Sequence, residues 1–128
     1  MTKPVNLLLA LFGTAAAQMS RTCVDIAFDS KTNVLSGRCQ PRDNSGYLYS
    51  GLDLNNCFGY DGTQLTATYH GNFAKSCKNC ETFIAPDPYY GGQIYWIKCD
   101  CTAGSSSIPL EEAVAHEYVS NKNGQILC

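Results

Sequence analysis

At 128 residues, 45% of them apolar, the chain is long enough for one core and too short for two independent ones of ordinary size. Nine basic residues against eleven acidic ones give a net charge of −2, which argues against nucleic acid, where a basic stripe would supply most of the affinity. A polar, uncharged partner fits this balance better.

The chain opens with Lys3, an apolar run from Val5 to Phe12 broken only by Asn6, and the small residues Ala15-Ala16-Ala17. This pattern predicts a signal peptide over residues 1–17, cut after Ala17. A membrane anchor needs roughly 20 apolar residues, and the run is about half of that. No later stretch is apolar enough to span a bilayer, so the expected product is secreted and extracellular, without a membrane partner. Its single domain is predicted over 18–128.

In chain order, CVDIAFDSKTNVLSGRC alternates weakly about a polar centre, Asp29 to Asn33, and reads as a hairpin. PRDNSG from Pro41 is a loop. YLYSGLDLNNC suits a short strand and one helical turn, with Leu48, Leu52 and Leu54 as core residues. Tyr60-Asp61-Gly62-Thr63 is a turn leading into QLTATY.

The order then repeats, so that one unit covers about 20–67 and a second about 71–128. NFAKSCKNC, Asn72 to Cys80, opens the second unit and meets KCDC, Lys98 to Cys101, through the alternating strand QIYWIKC. Between its cysteines the second unit has eight more residues than the first, and the loop APDPYYGG, Ala85 to Gly92, is long enough to hold them all. The aromatics Tyr89, Tyr90, Tyr95 and Trp96 could stack on sugar rings, but Trp96, on the alternating strand, is expected in the core, while Tyr89 and Tyr90 belong to the exposed loop. CTAGSSS follows as a turn. Ile108-Pro109-Leu110 stands where Leu52-Asp53-Leu54 stood, and Asn123-Gly124-Gln125-Ile126 where Asp61-Gly62-Thr63-Gln64 stood. The longer segment between suits a helix, with Ser107, Pro109, Glu111 and Glu112 as start signals. Ile108, Leu110 and Ile126 complete the expected core.

All eight cysteines lie beyond residue 17, and an even count in a short secreted chain points to disulfides. Cys77-x-x-Cys80 resembles half of a zinc ribbon, but Cys99-x-Cys101 has one spacer where such sites normally have two or more, so no metal is expected. Eight cysteines allow about 105 pairings. If each repeat closes its own loop, the bridges are Cys23 to Cys39, Cys77 to Cys101 and Cys80 to Cys99, leaving Cys57 for Cys128.

The order Cys, returning strand, Cys, (Leu/Ile)-x-Leu, then Asn/Asp-Gly and a short apolar strand, given twice, resembles the cyanovirin-N homology family from Thr22 to Cys128. NFAKSCKNC, the CDC pair, GLDLNNC and the ending NGQILC each resemble secreted fungal members. The resemblance implies a mainly β, pseudo-twofold fold: two repeats that exchange strands, each a small antiparallel sheet plus a β-hairpin with short helical turns, as a monomer or a strand-exchanged dimer. It also implies a lectin for mannose-rich glycans, with oligosaccharides or glycoproteins as partners, a sugar site at each end and no cofactor. At the first end the family's binding positions fall on Arg21, Thr22, Gln40, Arg42 and Asn121, with Gln40 replacing an acid. At the second they fall on Tyr60, Asp61, Asn72, Lys75, Ser76 and Thr102, with Lys75 in place of the usual acid. There Ala103 and Gly104 have lost the polar side chains of the family, so the first end is the better candidate.

Catalysis finds little support. His116 and Glu112 lie four apart and would share a helical face with Glu111 and Glu117 nearby, but no nucleophile elbow, phosphate loop or metal motif accompanies them or His70. A non-enzymatic protein is expected. The competing reading is a secreted structural or interaction protein that kept the scaffold and lost sugar binding, which would explain Lys75, Ala103 and Gly104.

Overall fold

The computed structural model describes residues 18–111 and 118–128. The expected signal peptide, the central part of the expected helix, and Glu112, His116 and Glu117 lie outside them.

A short helix α1 (Met19–Thr22) leads into strands β1 (Cys23–Asp29), β2 (Val34–Cys39) and β3 (Leu48–Asp53), an antiparallel sheet in the order β1-β2-β3. A 3-10 turn over Leu54–Asn56 is capped by Asp53, whose carboxylate accepts from Asn55 N. The hairpin β4 (Phe58–Tyr60) and β5 (Leu65–Ala67) follows. A second 3-10 turn (Phe73–Lys75) opens the repeat: β6 (Cys77–Pro86), β7 (Gln93–Cys101) and β8 (Gly104–Pro109) form the second sheet, and β9 (Ser120–Lys122) with β10 (Gln125–Leu127) the second hairpin. The described residues are thus mainly β, with the same element order twice.

The repeat extends to its irregularities. β1 is bulged between Val24 and Ala27 and β6 between Lys78 and Glu81. Asp25 (φ 56°) and Asn79 (φ 54°) take the left-handed conformation there, one that short polar side chains tolerate better than branched ones. Each also reaches its partner strand: Asp25 pairs with Arg38, and Asn79 Nδ2 donates to Asp100 at 3.3 Å.

Each hairpin packs on the other repeat's sheet. Ile126 N in β10 donates to Ser50 Oγ in β3, and Leu65 N in β5 donates to Ser106 Oγ in β8, both at 2.9 Å. A serine on each third strand thus satisfies a backbone donor of the visiting hairpin. Between the layers Leu35, Leu54, Phe58, Phe73, Ile97, Leu110 and Ile126 form a common core. Ile108 joins it at 9% exposure, while Leu52 is only partly buried against it.

Several expectations need correction. Leu48 is 49% exposed, because it begins β3 at the sheet margin. Trp96 is half-buried and stacks on Phe83; strand residues alternate faces, and Ile97 and Cys99 take the core side of β7. The eight extra residues do not all enter the loop. β6 and β7 have ten and nine residues where β1 and β2 have seven and six, so most of the insertion lengthens the hairpin. CTAGSSS is a turn only at its start, since β8 begins at Gly104. Ser107 and Pro109 therefore belong to a strand, not a helix start, and proline is tolerated because β8 is an edge.

The four disulfides join Cys23 to Cys39, Cys57 to Cys128, Cys77 to Cys101 and Cys80 to Cys99, and no cysteine is free. Cys23 faces Cys39 and Cys77 faces Cys101 in the strand registers, so two of the bridges staple the same rung of each hairpin.

Candidate functional site

At the first end, the turn after β2 is held from both sides. Gln40 N donates to Thr22 O at 2.9 Å, Asn121 Nδ2 donates to Gln40 O at 2.9 Å, and Arg42 N donates to Asn123 Oδ1 at 3.0 Å. The structure therefore gathers Thr22, Gln40, Arg42 and Asn121, but not as equals. Asn121 is 3% exposed, and its other amide atom, Oδ1, accepts from Gly124 N at 2.8 Å. Both polar atoms of this expected binding residue are thus spent on internal bonds. Gln40 Nε2 is engaged by Asn44 Oδ1 at 2.8 Å, a partner the sequence reading missed.

Arg21 points elsewhere. Its guanidinium comes within 3.4 Å of the position a Cβ on Gly92 would occupy. Its charge also contributes to holding the Asp87 carboxyl below the usual range; the larger cause there is the Tyr89 backbone N–H.

At the second end, β6, β7 and the turns beside them enclose an open cleft of about 440 Å³, lined by Ala74, Lys75, Ser76, Cys77, Lys78, Asp100, Cys101 and Thr102. Lys75, Ser76 and Thr102 were expected here. Lys78 and Asp100 were not, although each neighbours a cysteine of the Cys77–Cys101 bridge, and that bridge sets them opposite one another. The wall is tied together by Thr102 N donating to Ser76 O at 3.1 Å. Two lysines and one aspartate leave it with mixed charge.

The remaining three expected residues do not line the cleft. Tyr60 Oη accepts from Ala103 N at 3.1 Å, joining the β4–β5 hairpin to the β7–β8 turn. Asn72 takes the left-handed conformation and its carbonyl accepts from Lys75 N at 3.2 Å. Asp61 Oδ1 accepts from Thr63 N, Thr63 Oγ1 and Gln64 N. These bonds, the Thr63 N–H first, lower its pKa and commit the carboxylate to its own turn.

This arrangement can be set beside known proteins. The family model described as the CVNH domain matches residues 19–127. The chain belongs to the CVNH family. Among solved structures it is similar to a Gibberella zeae CVNH protein (17% identity, covering 85% of this chain and 94% of that one, TM-score 0.58). It is also similar to microvirin, solved as a mannobiose complex (23% identity, 87% and 97% coverage, TM-score 0.58). A third likeness is to a variant of MoCVNH3 solved in complex with (N-GlcNAc)4 (16% identity, 88% and 97% coverage, TM-score 0.54). No relative is found among curated proteins. At these identities the likeness concerns the CVNH fold. The second-end cleft and the first-end turn of this CVNH chain are described from its own residues.

Among the described residues no helix is long and apolar enough to cross a membrane, and no group of three His, Cys, Asp or Glu side chains is placed to hold a metal ion.

Proposed function

We propose that this CVNH chain is a secreted lectin that recognises mannose-rich glycans, with its principal site in the cleft between Lys75 and Thr102. The observation that carries the reading is the cleft itself: it is open and mixed in charge, with Lys75, Ser76, Lys78, Asp100 and Thr102 set around an apolar floor of Ala74 and the Cys77–Cys101 bridge. A sugar offers vicinal hydroxyls, each donor and acceptor, which a hydroxyl, an ammonium and a carboxylate can meet from one wall. Fold neighbours solved with mannobiose and with (N-GlcNAc)4 add support at the level of the family. Four disulfides suit an oxidising, extracellular destination.

This reverses the ranking of the two ends drawn from the sequence. Asn121 is consumed by internal bonds, which leaves Thr22, Gln40 and Arg42 as the smaller first site. Each hydrogen bond to a sugar nets about 0.5–1.5 kcal/mol, so either site alone binds weakly. Two sites on one rigid body can gain about 10² to 10⁴ in avidity on a branched glycan.

Isothermal titration of the oxidised protein with mannobiose, a branched mannose-rich glycan and chitotetraose tests the reading. Ser76→Ala with Thr102→Ala should weaken binding about tenfold or more, the equivalent of about 1.4 kcal/mol, and Arg42→Ala should weaken it less. A wild type that binds none of the three sugars would leave the scaffold without a lectin activity and favour the structural or interaction role.

A further inference from the structure

The lengthened β6–β7 hairpin carries a feature that neither end explains. Its turn, residues 87–92, presents Tyr89 and Tyr90 at 69% and 61% exposure, with ring centroids 6.5 Å apart and planes inclined at 50°. The turn is held in shape. Asp87, itself 8% exposed, accepts from Tyr89 N at 2.9 Å and Tyr90 N at 3.3 Å, and Asp87 N donates to Gly92 O at 2.9 Å. Gln18, just before helix α1, and Arg21 within it approach the same turn. The residue after Arg21 is Thr22, whose carbonyl anchors Gln40 at the first end.

We propose that Tyr89 and Tyr90 form a sugar-stacking platform that extends the first-end site, so that an oligosaccharide seated at Thr22, Gln40 and Arg42 lays a further ring on the tyrosines past Arg21. This inference rests on the lectin reading above. Exposed tyrosines offer an apolar face and a polar tip, the combination that matches the C–H face and hydroxyl rim of a pyranose. Their fixed turn removes the ordering cost that a mobile loop would pay on binding. A protein partner needs a larger surface: a tyrosine buries about 150–250 Å², so this pair offers about 300–500 Å², short of the roughly 800 Å² per side of a standard interface. A nucleic acid needs a run of cations, and Arg21 is the one cationic residue among those that shape this turn.

The test is a titration of ¹⁵N-labelled oxidised protein with mannobiose, the branched mannose-rich glycan and chitotetraose, using wild type, Tyr89→Ala/Tyr90→Ala and Tyr89→Phe/Tyr90→Phe. The platform predicts shifts at the amides of residues 87–92 and at Arg21. It also predicts a roughly five- to twentyfold loss of affinity for the longest bound ligand in the alanine variant when read at the first-end amides, with the second-end amides unchanged and the phenylalanine variant within about twofold of wild type because stacking survives. Binding by wild type with the alanine variant unchanged and the turn unshifted would overturn the platform and leave the lectin reading standing. Absence of binding to all three sugars would overturn both. A change in sedimentation of the alanine variant without a change in sugar affinity would assign the tyrosines to a protein contact instead.

Discussion

Asn121 shows how a single side chain can be moved from one role to another by burial. Its amide spans Gln40 O and Gly124 N, so Asn121→Ala strands a carbonyl and an N–H and should cost about 1–3 kcal/mol in denaturant unfolding. A cost under about 0.5 kcal/mol, the range of exposed polar changes, would show that the amide bonds do not hold. Asp87 works in a similar way on the tyrosine turn. Its folded pKa is lowered by the N–H groups of Tyr89 and Tyr90, with help from Gln18 and Arg21, so the contribution is fully present above the unfolded aspartate value of about 3.9 and is lost as pH falls through the lower folded value. Protection of the Tyr89 and Tyr90 amides, measured against their intrinsic exchange rates at each pH, should therefore fall in that acidic window. Asp87→Asn should flatten the response.

At the scale of elements, the segment that joins the two repeats passes tightly against β4, with Gly59 bridged to Asn72. A Cβ on Gly71 would sit 2.6 Å from the Gly59 backbone, whereas one on Gly51 would meet nothing closer than 3.5 Å. Gly71→Ala should destabilise by about 1–3 kcal/mol through overpacking, and Gly51→Ala should be nearly neutral; equal thermal shifts would contradict the packing. The element order was legible because each unit announces itself: paired cysteines bound a returning strand, and Asn-Gly or Asp-Gly marks each late hairpin. The ends of elements were not legible. GSSSIP carries little strand propensity, and β8 exists because Ser106 and its neighbours pair with β7 and receive Leu65. The candidate site was half legible for the same reason. Ser76 and Thr102 followed from the motif, but Lys78 and Asp100 depended on register, and the burial of Asn121 depended on how the last hairpin docks on the first sheet.

For the whole molecule, the bridges differ in reach. Cys23–Cys39, Cys77–Cys101 and Cys80–Cys99 each close a loop within one repeat, with separations of 16, 24 and 19 residues. Cys57–Cys128 spans 71 and joins the first hairpin to the end of the second. In the chain-entropy model a loop of that size is worth about 4 kcal/mol, against about 3 for the smallest. Replacing Cys57 and Cys128 by Ser should thus lower the melting temperature more than replacing Cys23 and Cys39, and the reverse order would show that strand pairing, not loop closure, sets the contribution.

The proposed lectin activity requires that the cleft at Lys75 and Thr102 bind a neutral sugar. The measurement that tests it most directly is a ¹⁵N chemical-shift titration of the oxidised protein with a mannose-rich oligosaccharide at about 50 and about 500 mM salt. Neutral ligands release no counterions, unlike a polyanion whose affinity falls steeply with salt. The account predicts saturable shifts at Ser76, Lys78, Asp100 and Thr102 with nearly equal dissociation constants at both salt concentrations. Shifts absent from those residues, or an affinity that collapses with salt, would contradict it.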